Sequence, residues 1–123
     1  MEDDIAKRLK VLVVDDDHLV LMGTASMLAA HGHDVLEATS GGEALELMVS
    51  SDNIDVIVTD HKMPEMTGTE LASEVRQRSY AIPIVLVTGY SELAEQDHPD
   101  IAACLVKPYS AKELHKVFEA IGA

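Results

Sequence analysis

Three consecutive aspartates, Asp15-Asp16-Asp17, follow the apolar run Val11–Val14, and a fourth, Asp60, ends the run Ile54–Thr59. Two later runs end on different polar groups: Ile84–Val87 on Thr88, and Ala103–Val106 on Lys107-Pro108. The remaining run, Asp34–Ala38, leads into Thr39 and offers little chemistry. If these runs are strands of one parallel sheet, carboxylates, a hydroxyl and an ammonium converge on the edge where open α/β sheets bind ligands. Carboxylates a few ångströms apart repel, so at least one pKa rises unless a cation sits among them. An oxygen-only set with no His or Cys suits a hard cation, and Mg²⁺ keeps waters and shares its shell with phosphate oxygens. One Lys107 does not neutralise several carboxylates. Mg²⁺, Lys107 and Thr88 together would bind three phosphoryl oxygens, and a carboxylate placed there can act as nucleophile and form an acyl phosphate.

Each of these residues also has a plainer role. An Asp run after a strand would cap the next helix. Asp60 before Met63-Pro64, and Thr88 before Gly89, would serve turns. Lys107 would be a solvated charge. Singly, the plainer role is favoured for each; four such residues ending strands at one edge together favour a site.

The elements that must position them follow from periodicity. The five runs are short, mostly β-branched and nearly continuous, the pattern of strands buried on both faces of a parallel sheet. Between them, Leu21, Ala25 and Leu28 recur at helical spacing, with Gly32 able to end that helix. Ser40 with Glu43, Thr67 with Glu70 and Ser110 with Glu113 each fit a capping box opening a helix. The order is β-α repeated, with right-handed crossovers covering both faces of the sheet. Between Thr88 and Lys107 the pattern fails, because Pro99 and its neighbours Asp97, His98 and Asp100 oppose a regular helix.

With 123 residues, one domain spanning 1–123 is expected. At 47% hydrophobic and 3% aromatic, its core must be aliphatic. The net charge of −13 disfavours binding to nucleic acid. Cys104 is the single cysteine, which excludes an intrachain disulfide, and its apolar run predicts a small buried hydrophobe. The charged first ten residues lack a signal peptide's apolar stretch, and no run is long enough to span a membrane, so a cytoplasmic location is expected. His31 and His33 flank a helix end and are expected to be solvated; His61 is expected to point away from Asp60 along its loop. Ser40-Gly41-Gly42 lacks the Lys and spacing of a phosphate loop.

The ordered set Val11-Leu12-Val13-Val14-Asp15-Asp16-Asp17, Val58-Thr59-Asp60-His61-Lys62-Met63-Pro64, Thr67-Gly68, Thr88-Gly89 and Lys107-Pro108-Tyr109 resembles response-regulator receiver domains, from about Lys10 to Ala120. The resemblance implies a flavodoxin-like fold, a five-stranded parallel sheet in order 2-1-3-4-5 with helices on both faces. It implies a phosphoacceptor, Asp60, in a domain that is not an enzyme beyond its own phosphorylation and autodephosphorylation. Asp16 would bind Mg²⁺ directly and Asp15 through water, with Asp60 and the Lys62 backbone carbonyl completing the protein ligands. Thr88 and Lys107 would hold the phosphoryl group and switch with it, and the Lys107–Pro108 bond is often cis in such domains. The donor would be a phosphohistidine on a sensor histidine kinase or histidine phosphotransfer protein, and output would pass to a protein partner by conformational change.

Two features depart from the usual pattern. The place of the family's aromatic switch residue holds Cys104, and the helix after the fourth strand looks short or irregular, as in a subset with Thr88-Gly89-Tyr90. Lys62 and Tyr90, two places after Asp60 and Thr88, would flank the approach of hydrolytic water and slow dephosphorylation. Met1 favours a stand-alone regulator over a piece of a hybrid kinase. The competing readings are a Mg²⁺-dependent phosphohydrolase with an Asp nucleophile, for which the chain is too short to carry a lid, and a receiver-fold module that is never phosphorylated. A flavodoxin is disfavoured, because the aspartates after the first run would repel a flavin phosphate.

Overall fold

In a computed structural model, which describes residues 8–89 and 98–123, the apolar runs form five parallel strands. They are β1 (Lys10–Val14), β2 (Asp34–Ala38), β3 (Val56–Asp60), β4 (Ile84–Thr88) and β5 (Ala103–Val106), in the order β2-β1-β3-β4-β5. Four helices connect or follow them among the described residues: α1 (His18–Ala30), α2 (Gly41–Ser50), α3 (Gly68–Gln77) and α4 (Ala111–Ala120). This is the expected flavodoxin-like architecture.

Alternation along the strands divides the core into two layers. Leu12, Val14, Ile57 and Ile84 point to one face and pack with Ala44, Leu45 and Met48 of α2 and Leu71, Ala72 and Val75 of α3. Val11, Val13, Val56, Val58, Val85 and Val87 point to the other and meet Leu21 and Leu28 of α1 and Leu114 and Phe118 of α4. The central strands β1, β3 and β4 are buried almost throughout, which explains why they read as continuous apolar runs.

Thr67 and Ser110 form full capping boxes with Glu70 and Glu113. At α2 the expected box is incomplete. The Ser40 hydroxyl accepts from the Glu43 N–H, but Glu43 Oε1 accepts from the Thr39 N–H at 2.6 Å instead of from Ser40. The reciprocal bond has moved one residue upstream, where the Thr39 hydroxyl also donates to it. Helix α1 ends as expected near Gly32, whose φ of +91° continues the chain past the His31 cap into β2.

His33 corrects its expectation. It is 6% exposed, because it sits where β1, β2 and α4 meet, and its Nδ1 accepts from the Leu9 N–H at 3.0 Å. His31 is exposed, as expected. The short or irregular helix expected between β4 and β5 lies outside the described residues. Within them, residues 98–102 form a turn in which the Ile101 N–H donates to the His98 carbonyl.

Candidate functional site

Parallel pairing sets the level at which each polar side chain leaves the sheet. Val14 pairs with Thr59, Asp60 with Val87 and Thr88 with Val106. Asp15, Asp60, Thr88 and Lys107 therefore emerge at nearly one level along the carboxyl edge. The Lys107 N–H donates to the Thr88 carbonyl at 2.8 Å, extending the β4–β5 ladder past the strand end. The Asp15 N–H does the same on the other side, donating to the Ala38 carbonyl at 3.1 Å.

The three aspartates after β1 divide the work. Asp17 Oδ1 accepts from the Leu19 and Val20 N–H groups and caps α1. Asp15 Oδ1 accepts from the Asp17 N–H at 2.9 Å, which turns the Asp15 carboxylate toward β3. The plainer capping role belongs to Asp17, and Asp15 and Asp16 remain for the site. Carboxylate oxygens of Asp15, Asp16 and Asp60 lie within 4.8 Å of one another. Asp15 is buried, Asp60 half-buried and Asp16 exposed.

Against these three stands one ammonium. Lys107 Nζ lies 2.9 Å from Asp60 Oδ1 and 3.8 Å from Asp15 Oδ2. Burial, with the charges of Asp60 and Asp16, pushes the Asp15 carboxyl above its ordinary range against the opposing Asp17 N–H and Lys107. Burial works to lower the pKa of Lys107, but its hydrogen bond to Asp60 and the charges of Asp60 and Asp15 outweigh burial and raise it. Three oxygen donors with one compensating charge fit a hard divalent cation, which would relieve the repulsion on Asp15.

The peptide bond between Lys107 and Pro108 is cis. Lys62 lies exposed in the turn after β3, and Tyr90 lies outside the described residues. Thr88 is buried, 2% exposed, at the end of β4. A cleft of about 420 Å³ opens beside Asp15, Asp60 and Lys107, walled by Val20, Thr24 and Met27 of α1 and by Pro108 and Tyr109.

The model of the response regulator receiver domain family matches residues 11–119. The chain belongs to that family. The receiver is 39% identical over 115 residues to the sensor kinase CckA of Brucella abortus, covering 90% of this chain but 12% of the kinase. It is 35% identical over 119 residues to a chemotaxis protein CheY homolog of Campylobacter jejuni, covering 92% of each. Among solved structures, the response regulator TrrA of Thermotoga maritima, in complex with Mg²⁺-BeF, superposes with a TM-score of 0.82 at 28% identity, over 92% of this chain and 98% of that one. The protein is thus a receiver domain of two-component signalling, a class of signalling domain rather than of enzymes. No helix among the described residues is long and apolar enough to cross a membrane.

Three further residues of the receiver bear on the site. Gly68 has no side chain to bring to the chemistry. Its N–H donates to the His61 carbonyl at 2.8 Å, and a methyl group on its Cα would sit 2.6 Å from the Asp60 carbonyl oxygen and 2.5 Å from Leu86 Cδ1. The start of α3 therefore presses against the backbone that carries Asp60, and only glycine fits. Its position one residue after the Thr67 cap was the available signal. Cys104 is half-buried instead of fully buried, because β5 is the edge strand, and burial raises its thiol pKa. His61 Nδ1 is buried without a hydrogen-bond partner among the described residues.

Proposed function

We propose that Asp60 is the phosphoacceptor of this receiver and that Asp15, Asp16 and Asp60, with the Lys62 backbone carbonyl, hold a Mg²⁺ ion. The observation that carries this reading is the imbalance at the sheet edge: three carboxylates within 4.8 Å of one another and a single Lys107 ammonium. When bound, Mg²⁺ supplies charge neutralisation and orientation of phosphoryl oxygens. The chain's own groups do the rest. Lys107 leaves its direct bond with Asp60 Oδ1 to pair with a phosphoryl oxygen, and Thr88 donates its hydroxyl to another. An Asp60 carboxylate oxygen attacks phosphorus, the P–N bond of a phosphohistidine breaks, and the imidazole leaves. Phosphoryl transfer of this kind needs positioning and charge more than covalent chemistry from the protein.

The donor is a sensor histidine kinase or a histidine phosphotransfer protein. The cleft beside Asp60 and the exposed apolar side chains of α1, Leu19 and Met22 among them, support its approach from that side. Neither partner class is a nucleic acid or a membrane, in keeping with the net charge of −13. Output passes to a partner protein through rearrangement of Thr88 and Lys107, and with Cys104 at the switch position that rearrangement proceeds without a rotating aromatic ring. Lys62, two residues past Asp60, and Tyr90, two past Thr88, shield the phosphoaspartate from water and prolong its life.

The direct test is incubation with acetyl phosphate and Mg²⁺. Wild type should incorporate acid-labile, hydroxylamine-sensitive phosphate, and Asp60→Asn should incorporate none; incorporation that persists in that variant removes Asp60 from the role. Steady turnover of a small phosphomonoester by wild type would favour a phosphohydrolase instead. Decay of the phosphorylated protein should be faster in the Lys62→Ala/Tyr90→Ala variant than in wild type.

A further inference from the structure

At the opposite end of the sheet from Asp60, where β2 begins, three imidazoles gather around the single phenylalanine. The His33 and His115 rings meet end to end, with centroids 5.1 Å and planes 21° apart, His31 lies 4.8 Å from His115, and the Phe118 ring stands edge-on to both His33 and His115. Nothing in the phosphoryl site uses them.

The hydrogen bonds assign the protons. The Leu9 N–H donates to His33 Nδ1 at 3.0 Å, so that nitrogen carries no hydrogen and the ring proton sits on Nε2. His33 Nε2 lies 2.9 Å from His115 Nε2, so the His33 N–H donates and His115 Nε2 accepts. The His115 proton is then on Nδ1, which donates to the Ala111 carbonyl at 2.8 Å. This chain joins the start of β1, the turn before β2 and the first turns of α4. It closes only when both rings are neutral. A proton added to His33 Nδ1 would face the Leu9 N–H, and one added to His115 Nε2 would face the His33 N–H.

We infer that the His33–His115 pair is a proton-sensitive latch, holding α4 against the β1–β2 corner while both rings are neutral and releasing it when either is protonated. The surroundings offer no refuge to an imidazolium. Helix α1 carries no charged residue, its one other titratable group being His18 at its start, and the turn adds only His31, whose Nδ1 donates to the Met27 carbonyl. Asp34 at the start of β2 is taken by Arg8 at 2.8 Å. On β1, Lys10 Nζ donates to the Asp52 carbonyl. On α4, Lys112 and Glu119, three before and four after His115, are exposed. Burial first, then the positive charge of His115 and His31, lowers the pKa of His33. A base with a depressed folded pKa binds fewer protons folded than unfolded. The stability it lends is present above about pH 6.5, the free imidazole value, and is lost as pH falls through it toward the folded pKa.

The same contacts argue against a transition-metal site. Ligation through both Nε2 atoms would need lone pairs there, and His33 would have to give up its proton while Nδ1 still accepts from Leu9.

The latch ends one seam of the protein. Ala111, which accepts from His115, and Met27, which accepts from His31, both line the cleft beside Asp60.

Long-range ¹⁵N–¹H spectra of the whole chain test this without a variant. At pH 7.5, His33 should be the Nε2–H tautomer and His115 the Nδ1–H tautomer. Between pH 7.5 and 5.5, amide exchange in α4 should gain on exchange in α3, by up to about tenfold in opening equilibrium per pH unit for each imidazole that takes a proton. In His115→Gln, whose amide oxygen can still accept from His33, that pH dependence should shrink. The opposite tautomers in wild type, or α4 protection that does not respond to pH, overturns the latch. So does Zn²⁺ that binds through both rings at pH 7.5.

Discussion

At the carboxyl ends of β1 and β3, three carboxylates share one ammonium; at the amino end of β2, the nitrogens of two imidazoles all find partners within the protein. Both clusters border an aliphatic core, and both are partly or wholly buried. They differ in whether the protein satisfies itself. The histidine pair completes its hydrogen bonds internally, so it holds elements together and needs nothing from outside. The aspartate cluster is left with unbalanced charge, which a bound cation would relieve. A polar cluster that closes on itself favours architecture, and one left open favours ligands.

The sharpest way to break this contrast is to exchange the consequences. Asp60→Asn should abolish phosphate incorporation from acetyl phosphate, while His33→Gln should leave its rate near that of wild type at pH 7.5. Equal losses in both would mean that the two clusters are one functional unit.

Next in size is the glycine that lets α3 approach Asp60. Gly68→Ala should cost about 1–3 kcal/mol through overpacking against Leu86 and the Asp60 carbonyl. Denaturant unfolding measures this, and an unchanged midpoint would show that the contact relaxes freely.

Mg²⁺ should distinguish the open cluster from the closed one. At ten times its dissociation constant a ligand stabilises the folded state by about 1.4 kcal/mol, a rise in Tm of roughly 4–8 °C for a domain near this size. Thermal scans should give that rise in wild type and in His33→Gln, and little of it in Asp16→Ala. The same rise in Asp16→Ala would remove it from the metal site.

The smallest expected effect is a gain. A carboxyl whose folded pKa is raised lends stability at low pH and withdraws it as pH rises through the folded value. Ionised Asp15 therefore destabilises the metal-free protein at neutral pH. Asp15→Asn keeps an oxygen for the Asp17 N–H and should stabilise the metal-free protein on the order of 1 kcal/mol, while weakening its response to Mg²⁺. A loss of stability in metal-free buffer would mean that Lys107 already compensates the charge.

Much of the receiver is legible in its sequence. The strand runs Asp34–Ala38 and Ala103–Val106 coincide with β2 and β5, because period and β-branching are local properties of the chain. The grouping of Asp15, Asp60, Thr88 and Lys107 at one edge was legible for a related reason: in a parallel sheet, residues that end strands must share an edge. The reading failed where partners are distant in sequence. His33 looked like a solvated turn residue, and its burial depends on His115, 82 positions away.

The sequence by itself determined which residues terminate strands, which hydroxyls open helices and that several carboxylates would meet a single lysine. Those facts rest on periodicity and on the topology that parallel strands allow. Only the tertiary structure decided how the aspartates divide, with Asp17 capping α1 while Asp15 turns toward Asp60. It also placed the Glu43 carboxylate on Thr39 instead of Ser40, and pressed Gly68 against the backbone of Asp60. Each of these outcomes turns on distances of a few ångströms between groups whose order along the chain leaves several geometries open, and packing of the helices on the sheet selects one.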